Sequence, residues 1–197
     1  MILTIRTLIL FLMMLLCGSV MAQTQPPATK DDASVWKEFS SAEGGFTVSL
    51  PGTPKADVTE LNSNKGPLKT HFFTLEVDDL AFYISYADVS VSPKTAGERE
   101  AALDRIRDQV ASRHRILNER IITLDGVVGR ELLIRREIGL IMRGMFFYAK
   151  GRLYYLIITV PPTVAFRNGE PSTNQADLTE LFETTSRRFF GSFKLTK

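Results

Sequence analysis

Apolar and polar residues alternate along most of the chain, which predicts strands more often than helices. Phe46, Val48 and Leu50 alternate with Thr47 and Ser49 and end at a Pro-Gly pair, so this segment is predicted to be a half-buried strand between turns. Similar patterns recur further along the chain. They cover residues 55–61, 68–77, 80–89, 116–124, 129–138, 140–149 and 152–160, and Phe193 and Leu195 suggest a short terminal edge strand.

Two of these strands form a predicted hairpin whose faces are both apolar. Lys150 and Gly151 stand as a two-residue turn between the strands. That turn sets Phe147 opposite Tyr154 on one face and residue 146, a phenylalanine, opposite residue 155, a tyrosine, on the other. Strands buried on both faces lie inside a sheet that is covered on both sides, so the chain is predicted to be a layered α+β protein.

Helical spacing replaces the strand pattern at two places. A T-x-x-E capping box at Thr95 and Glu98 precedes apolar residues at helical spacing, which predicts a helix over residues 96–113. A second helix is predicted to begin near Ser172. Its expected buried stripe comprises Leu178, Leu181 and Phe182.

The first residues have the order of a secretory signal peptide. Arg6 precedes a short apolar run, which ends in a small-residue cleavage site at Ala22. We expect cleavage there to remove residues 1–22, leaving a flexible tether over 23–34 and a single domain over 35–197. The protein is then exported to a periplasmic or extracellular location.

Two other fates of this leader stay open. The apolar run is shorter than the roughly 20 residues that a membrane-spanning helix needs, yet an uncleaved leader would act as an anchor. In a lipoprotein, Cys17 would carry a lipid. However, Leu16 stands where the lipoprotein signal has glycine, alanine or serine.

The scarcity of reactive residues excludes several kinds of chemistry. Cys17 is the only cysteine, so the processed chain has no disulfide, thiolate nucleophile or cysteine-bound metal. His71 and His114 lack metal-ligand spacing, and His71 is expected to be half exposed at a sheet edge or paired locally. No G-x-S-x-G motif is present. We therefore expect no enzyme activity, no catalytic residue, no cofactor and no metal.

The glycines around the first predicted strand resemble a phosphate-binding loop in composition alone. Gly44 and Gly45 precede the strand, and Gly52 is followed by Thr-Pro-Lys. A phosphate loop needs G-x-x-x-x-G-K-[ST] between a strand and a helix. These glycines are therefore interpreted as a turn into the strand and a turn out of it.

Charge gives little indication of a partner. The chain has 24 basic and 22 acidic residues, a formal net charge of +2, which argues against a polyanion binder and a nucleic-acid partner. The stretch 105–120 is basic, but Asp108 and Glu119 are interleaved in it. We interpret it as a solvated face with ion pairs. The alternative is a weak basic patch that contacts anionic membrane surfaces.

Side chains on the predicted central strands are the binding candidates. They are Arg130, Arg135, Arg143 and Tyr148, and an enzyme site on the same strands would add Glu131. Ligand binding or catalysis requires such groups to converge in one pocket. An enzyme is thus the alternative to a binding domain.

Four segments carry a family resemblance: EFSSAEGGFTVSLPGTPK, GRELLIRREIG, RGMFFYAKGRLYYLIITVPP and SFKL. They resemble exported bacterial proteins of the PsbP-like family, related to the photosystem II extrinsic subunit PsbP and to DcrB-type envelope proteins. The resemblance implies an α-β-α sandwich with a central antiparallel sheet. Photosynthetic members have an aromatic residue shortly after the strand proline, where this chain has Gly52 and Thr53. No photosystem role, ion site or partner is therefore implied.

Together these features predict an exported, non-catalytic accessory or binding domain of the bacterial envelope. An envelope protein is the expected partner, and membrane contact is expected only through an uncleaved leader or the weak basic patch. The ligand and the oligomeric state stay open, because a fold does not determine a function.

Overall fold

A sheet-rich α+β fold is seen in the computed structural model of the protein. The structure describes residues 35–63, 66–77, 79–89, 93–135, 141–160, 166–167, 170–171 and 175–196. The expected leader 1–22 and tether 23–34 lie outside these described residues. The described helices are α1 (Ala96–Ala111) and α2 (Gln175–Ser192).

Twelve strands occur within the described residues. Before α1 they are β1 (Lys37–Ser41), β2 (Phe46–Leu50), β3 (Lys55–Ser63), β4 (Gly66–Val77) and β5 (Leu80–Asp88). After α1 they are β6 (Arg115–Leu124), β7 (Val127–Arg135), β8 (Ile141–Ala149) and β9 (Arg152–Thr159). The short strands on either side of α2 are β10 (Phe166–Arg167), β11 (Glu170–Pro171) and β12 (Lys194–Leu195).

The central sheet has seven antiparallel strands in the order β3-β4-β5-β9-β8-β7-β6. Two meanders, β3-β4-β5 and β6-β7-β8-β9, join where β5 pairs with β9. The edge strands are therefore β3 and β6. A smaller sheet has the order β1-β2-β12, and β10 pairs with β11.

The predicted central hairpin is confirmed. β8 and β9 pair with Phe147 opposite Tyr154, and the same register sets residues 146 and 155 opposite each other. Lys150 and Gly151 have φ values of 50° and 79°, the left-handed conformation that a two-residue hairpin turn requires. Local turn chemistry therefore sets the register of the two strands at the centre of the sheet.

One face of the central sheet is covered by the small sheet and by α2. Phe46, Val48 and Leu50 of β2 are fully buried there, each 0% exposed, which confirms their predicted inward direction. The Phe193 ring, just after α2, stacks on Phe46 with centroids 5.2 Å apart. β2 therefore lies inside the core although its sheet has only three strands.

The other face of the central sheet packs against α1. Leu103, Ile106 and Val110 of this helix belong to one buried cluster with residues of β7, β8 and β9. The predicted capping box is confirmed, since the Glu98 N–H donates to Thr95 Oγ1 at 3.1 Å. The helix ends at Ala111, two residues before the predicted end at 113.

The predicted buried stripe of α2 is partly wrong. Leu181 is 37% exposed, whereas Phe182, Phe189 and Phe190 are buried. Positions 182, 186, 189 and 190 follow helical spacing, and residue 181 lies about 100° away from 182 around the helix.

The strand β1 was not predicted, because KEFSS is short and mostly polar.

Two glycines on neighbouring central strands differ in the space beside them. At Gly144 on β8, an added Cβ would lie 3.7 Å from Ile157 Cγ1 and 3.8 Å from the Leu156 carbonyl oxygen, which are ordinary contacts. A cavity of about 40 Å³ adjoins Gly144. At Gly129 on β7, the Cβ would lie 2.8 Å from the Phe146 carbonyl oxygen.

We predict opposite effects when each glycine is replaced by alanine. Gly144→Ala raises the free energy of unfolding by about 0.5–1 kcal/mol, because it restricts the unfolded chain and fills part of the cavity. Gly129→Ala lowers the free energy of unfolding by about 1–3 kcal/mol through overpacking. Urea denaturation measures both changes, and a change of the same sign in the two variants would contradict the geometry.

Tyr154 and Tyr155 are adjacent on β9 and point to opposite faces. The Tyr154 hydroxyl donates to the Gly44 carbonyl oxygen at 2.8 Å. The buried Tyr155 hydroxyl has no hydrogen-bond partner among the described residues. Burial, and to a lesser extent the neighbouring Tyr148, raises the pKa of Tyr155 well above its usual value of 10.0. A buried hydroxyl costs stability when it is left unpaired.

Removing each hydroxyl should therefore change stability in opposite directions. Tyr155→Phe is expected to raise the free energy of unfolding by about 1 kcal/mol, and Tyr154→Phe to lower it by about 1–2 kcal/mol. Because the pKa of Tyr155 is higher in the folded protein than in the unfolded chain, the unfolded chain loses this proton first as the pH rises. The free energy of unfolding is therefore unaffected by this proton below about pH 10 and falls at higher pH. Thermal unfolding from about pH 8 to about pH 11 should show a smaller alkaline loss for Tyr155→Phe than for the wild type. Equal losses would refute this assignment.

Candidate functional site

An open cleft lies at the edge of the central sheet, between strands β6, β7 and β8 and the C-terminal half of α2. Its volume is about 500 Å³, within the range of small-ligand sites. We call it the arginine cleft. The residues that line it are Asn118, Arg120, Ile122, Thr123, Leu124, Glu131, Leu133, Arg143, Met145, Glu183, Arg187, Phe190 and Gly191.

Arg143 on β8 is the most enclosed of the cleft arginines, with a side chain only 14% exposed. Its Nη2 donates to both carboxylate oxygens of Glu183 on α2, at 2.8 and 2.9 Å. Its Cζ lies 5.6 Å from the centroid of the Phe182 ring, a cation–π contact. Arg143 therefore joins the sheet to α2 through charge-assisted hydrogen bonds and an aromatic contact.

Glu131 on β7 lies between two arginines. Its side chain is 11% exposed, and its Oε1 accepts a hydrogen bond from Arg120 Nη2 at 2.6 Å. The same oxygen is 3.7 Å from Arg143 Nε, which is buried without a hydrogen-bond partner among the described residues. The carboxylate thus holds two guanidinium groups at the floor of the arginine cleft.

The mouth of the arginine cleft is cationic. The Arg120 side chain is 61% exposed, and Arg187 on α2 is exposed as well. The described lining contains three arginines and two glutamates, so positive charge is in excess. Ile122, Leu124 and Phe190 supply apolar surface beside these charges. The cleft can therefore hold an anionic group next to an apolar one.

The predicted site residues are divided between the two faces of the central sheet. Glu131 and Arg143 line the arginine cleft. Arg130 instead pairs with Asp104 of α1. Tyr148 packs with the buried cluster on the α1 side, where burial raises the pKa of its hydroxyl. The structure thus brings two of the candidates together and separates two others from them.

The remaining candidate, Arg135, lies at the end of β7. It is exposed and stands opposite Arg115 of β6 in the strand register. The basic stretch 105–120 is divided as well, since it runs from α1 into β6. Its Arg107 pairs with Asp108 at 2.8 Å. The stretch therefore does not form one continuous basic face.

Glu183 and Arg187 are the cleft residues that sequence reasoning missed. They are four residues apart on α2; Glu183 directly follows the buried Phe182, and Arg187 lies three residues before the buried Phe190. Charged residues at this spacing beside an apolar stripe flank the surface on which a helix packs. That spacing was the signal available in the sequence.

A second polar cluster lies beneath the turn between β1 and β2. His71 on β4 is 6% exposed and stacks on Tyr86, with centroids 4.5 Å apart. Its Nε2 is 3.5 Å from Glu43 Oε1, so the half-exposed position expected for His71 is wrong and local pairing is found instead. The same Tyr86 ring makes a cation–π contact with Arg152, whose Cζ lies 5.0 Å from the ring centroid. Through the contact between Glu43 and His71, this cluster links the turn to the central sheet.

The described residues contain neither a metal-binding cluster nor a helix suited to crossing a membrane. No group of three or more histidine, cysteine, aspartate or glutamate side chains that could hold a metal ion occurs there. Neither α1 nor α2 combines the length and the apolarity that crossing a membrane needs.

The similarity of this chain to known proteins is found among solved structures. No protein-family model matches the chain, and no curated protein matches it significantly. The chain is similar to the solution structure of cyanobacterial PsbP from Synechocystis sp. PCC 6803, with 12% identity over 86% of this chain and 98% of that one and a TM-score of 0.48. It is also similar to the crystal structure of a protein of unknown function from Pseudomonas aeruginosa, with 11% identity over 77% of this chain and 92% of that one and a TM-score of 0.39.

The enclosed position of Arg143 predicts a stability effect. Arg143→Gln should lower the free energy of unfolding by about 1–3 kcal/mol, because Glu183 and Glu131 each lose a cation. Arg120→Gln is the matched control. Its side chain is 61% exposed, and the expected cost is below about 1 kcal/mol.

A double-variant cycle measured by urea denaturation completes this test. Adding Glu131→Gln to Arg143→Gln should cost less than the sum of the two single changes, because the residues interact. Equal losses at Arg143 and Arg120, or strict additivity in the cycle, would contradict the contacts described for the cleft floor.

Proposed function

We propose that the protein is an exported, non-catalytic binding domain of the bacterial envelope, with a PsbP-like α-β-α sandwich fold. Its ligand is an anionic group of an envelope partner, which occupies the arginine cleft. The leader pattern that ends at Ala22 supports export. The packing of α1 and α2 on opposite faces of the central sheet supports the sandwich.

The observation that carries the proposal is a preformed group of arginines in an open cleft. Arg143 is held by Glu183, and Arg120 is held by Glu131. A side chain that is already held in its binding position loses less conformational entropy when a ligand binds. Guanidinium groups match the planar geometry of carboxylates and the charge of phosphates, so an anionic ligand suits this lining.

The chemistry of the lining favours binding over catalysis. The ionisable side chains among the described lining residues are arginines and glutamates. Arginine keeps its proton in proteins and cannot serve as a general base. Glu131 and Glu183 both accept hydrogen bonds from arginines, which engages their carboxylates in ion pairs rather than in proton transfer.

In-cell photo-crosslinking tests the proposed function. A photoreactive amino acid replaces Asn118, an exposed residue of the cleft lining, or Lys55, an exposed residue at the opposite sheet edge. We expect a defined adduct from position 118 and not from position 55, in the envelope fraction, with a chain that begins at Gln23. Arg187→Glu should abolish the adduct, because it reverses a charge at the mouth of the cleft.

Two results would overturn parts of this proposal separately. Recovery of the chain in the cytosolic fraction with its leader intact would refute export. Equal adducts from positions 118 and 55, or an adduct that persists in Arg187→Glu, would refute anion binding in the arginine cleft.

A further inference from the structure

We propose that the arginine cleft binds an extended acidic peptide segment of the partner, and that this segment adds as an eighth strand along the outer edge of β6. The inference rests on the proposed function and names the chemical class that the cleft takes. It is carried by one juxtaposition: the edge strand of the central sheet also forms a wall of the cationic cleft.

The edge of β6 is suited to strand addition. β6 is the last strand of the central sheet, so its outer side has no partner strand among the described residues. A bulge between Ile116 and Asn118 interrupts its first part, but pairing with β7 is continuous from Asn118 to Leu124. Alternate N–H and C=O groups of this segment point away from β7, where an extended chain can pair with them.

The side chains of the same segment position the peptide over the cleft. Residues 118, 120, 122 and 124 alternate along β6 and line the arginine cleft. Directly opposite residues of paired strands share a face, and residues two apart lie about 6.5–7 Å apart. A peptide side chain opposite Arg120 therefore enters the cleft, and the side chain two residues away faces Ile122. This arrangement selects an acidic residue with an apolar residue two positions from it.

The charges of the cleft select an acidic segment rather than a neutral or basic one. Glu131 and Glu183 are already engaged by arginines, and the described lining keeps an excess of positive charge. Arg115 and Arg135 stand opposite each other where β6 begins, which adds to the attraction for an acidic chain. A second copy of this protein is a poorer occupant, because the residues of its β6 edge that line the cleft on one strand face, 118, 120, 122 and 124, are Asn, Arg, Ile and Leu and so offer the cleft no acidic side chain.

The test uses the purified protein, labelled with ¹⁵N, and a synthetic peptide. The probe is acetyl-Thr-Val-Thr-Glu-Thr-Val-Thr-amide, whose symmetric pattern fits either strand direction. We expect amide shifts and slowed hydrogen exchange at residues 118–124 of β6, with side-chain shifts at Arg120 and Arg187. The peptide with glutamine in place of glutamate should bind about tenfold more weakly, since it loses a charge-assisted hydrogen bond.

Two modified peptides report on the backbone. One is N-methylated on its threonines and the other on its valine and glutamate residues, so each lacks the N–H donors of one edge. Strand addition uses one edge of the peptide, so one modified peptide should bind like the parent and the other should lose binding. The protein variant Arg187→Ala should weaken binding of the parent about tenfold, whereas Arg105→Ala, which removes an exposed arginine of α1 outside the cleft, should not change it.

Several results would overturn the inference. Equal binding of both N-methylated peptides, equal shifts with free glutamate or inorganic phosphate, or a dimer formed through β6 would each refute strand addition. So would the failure of every peptide while the crosslink from position 118 still forms, and in that case the proposed binding function stands. Peptide binding without the crosslink would instead preserve the acidic-strand chemistry and refute the envelope partner.

Discussion

A strand that is apolar on both faces must be covered on both sides, and this requirement organises the protein. The β8–β9 hairpin is such a strand pair, with Phe147 and Tyr154 on one face and Phe146 and Tyr155 on the other. α1 covers the second face, while the small sheet and α2 cover the first. Because α2 contacts mainly β2 and β9, the first face is less covered toward β6, and the arginine cleft occupies that space.

The glycine turn before β2 shows how a segment that resembles a ligand loop can be purely structural. A Cβ at Gly44 would lie 2.6 Å from both Phe46 Cε1 and Ser41 Oγ, so the close approach of the turn to the core requires glycine. Gly45 has a φ of 65°, which also favours glycine. The hydroxyl of Tyr154 binds the carbonyl of the first glycine, so the turn is part of the packing of the central hairpin.

Sequence patterns correctly predicted the features that are set by residues close together in the sequence. The turn at Lys150 and the capping box of α1 are local, because each is set by residues within a few positions. The cleft is not local, since it joins Arg143 to Glu183, 40 residues later, and only the pairing of strands brings its walls together. One error was avoidable: Arg130 and Glu131 were placed in one candidate site, although consecutive strand residues point to opposite faces.

The small sheet has a consequence for the order in which the domain is completed. β12 pairs with β2, and the Ser49 N–H donates to Ser192 Oγ across 143 residues of chain. The Phe46 ring is covered by Phe193, so the core that begins at β2 is closed by residues synthesised much later. Such long-range pairing slows folding. A nascent chain that stops short of Phe193 therefore keeps this core open, so the domain can complete its packing only after its last residues have been synthesised.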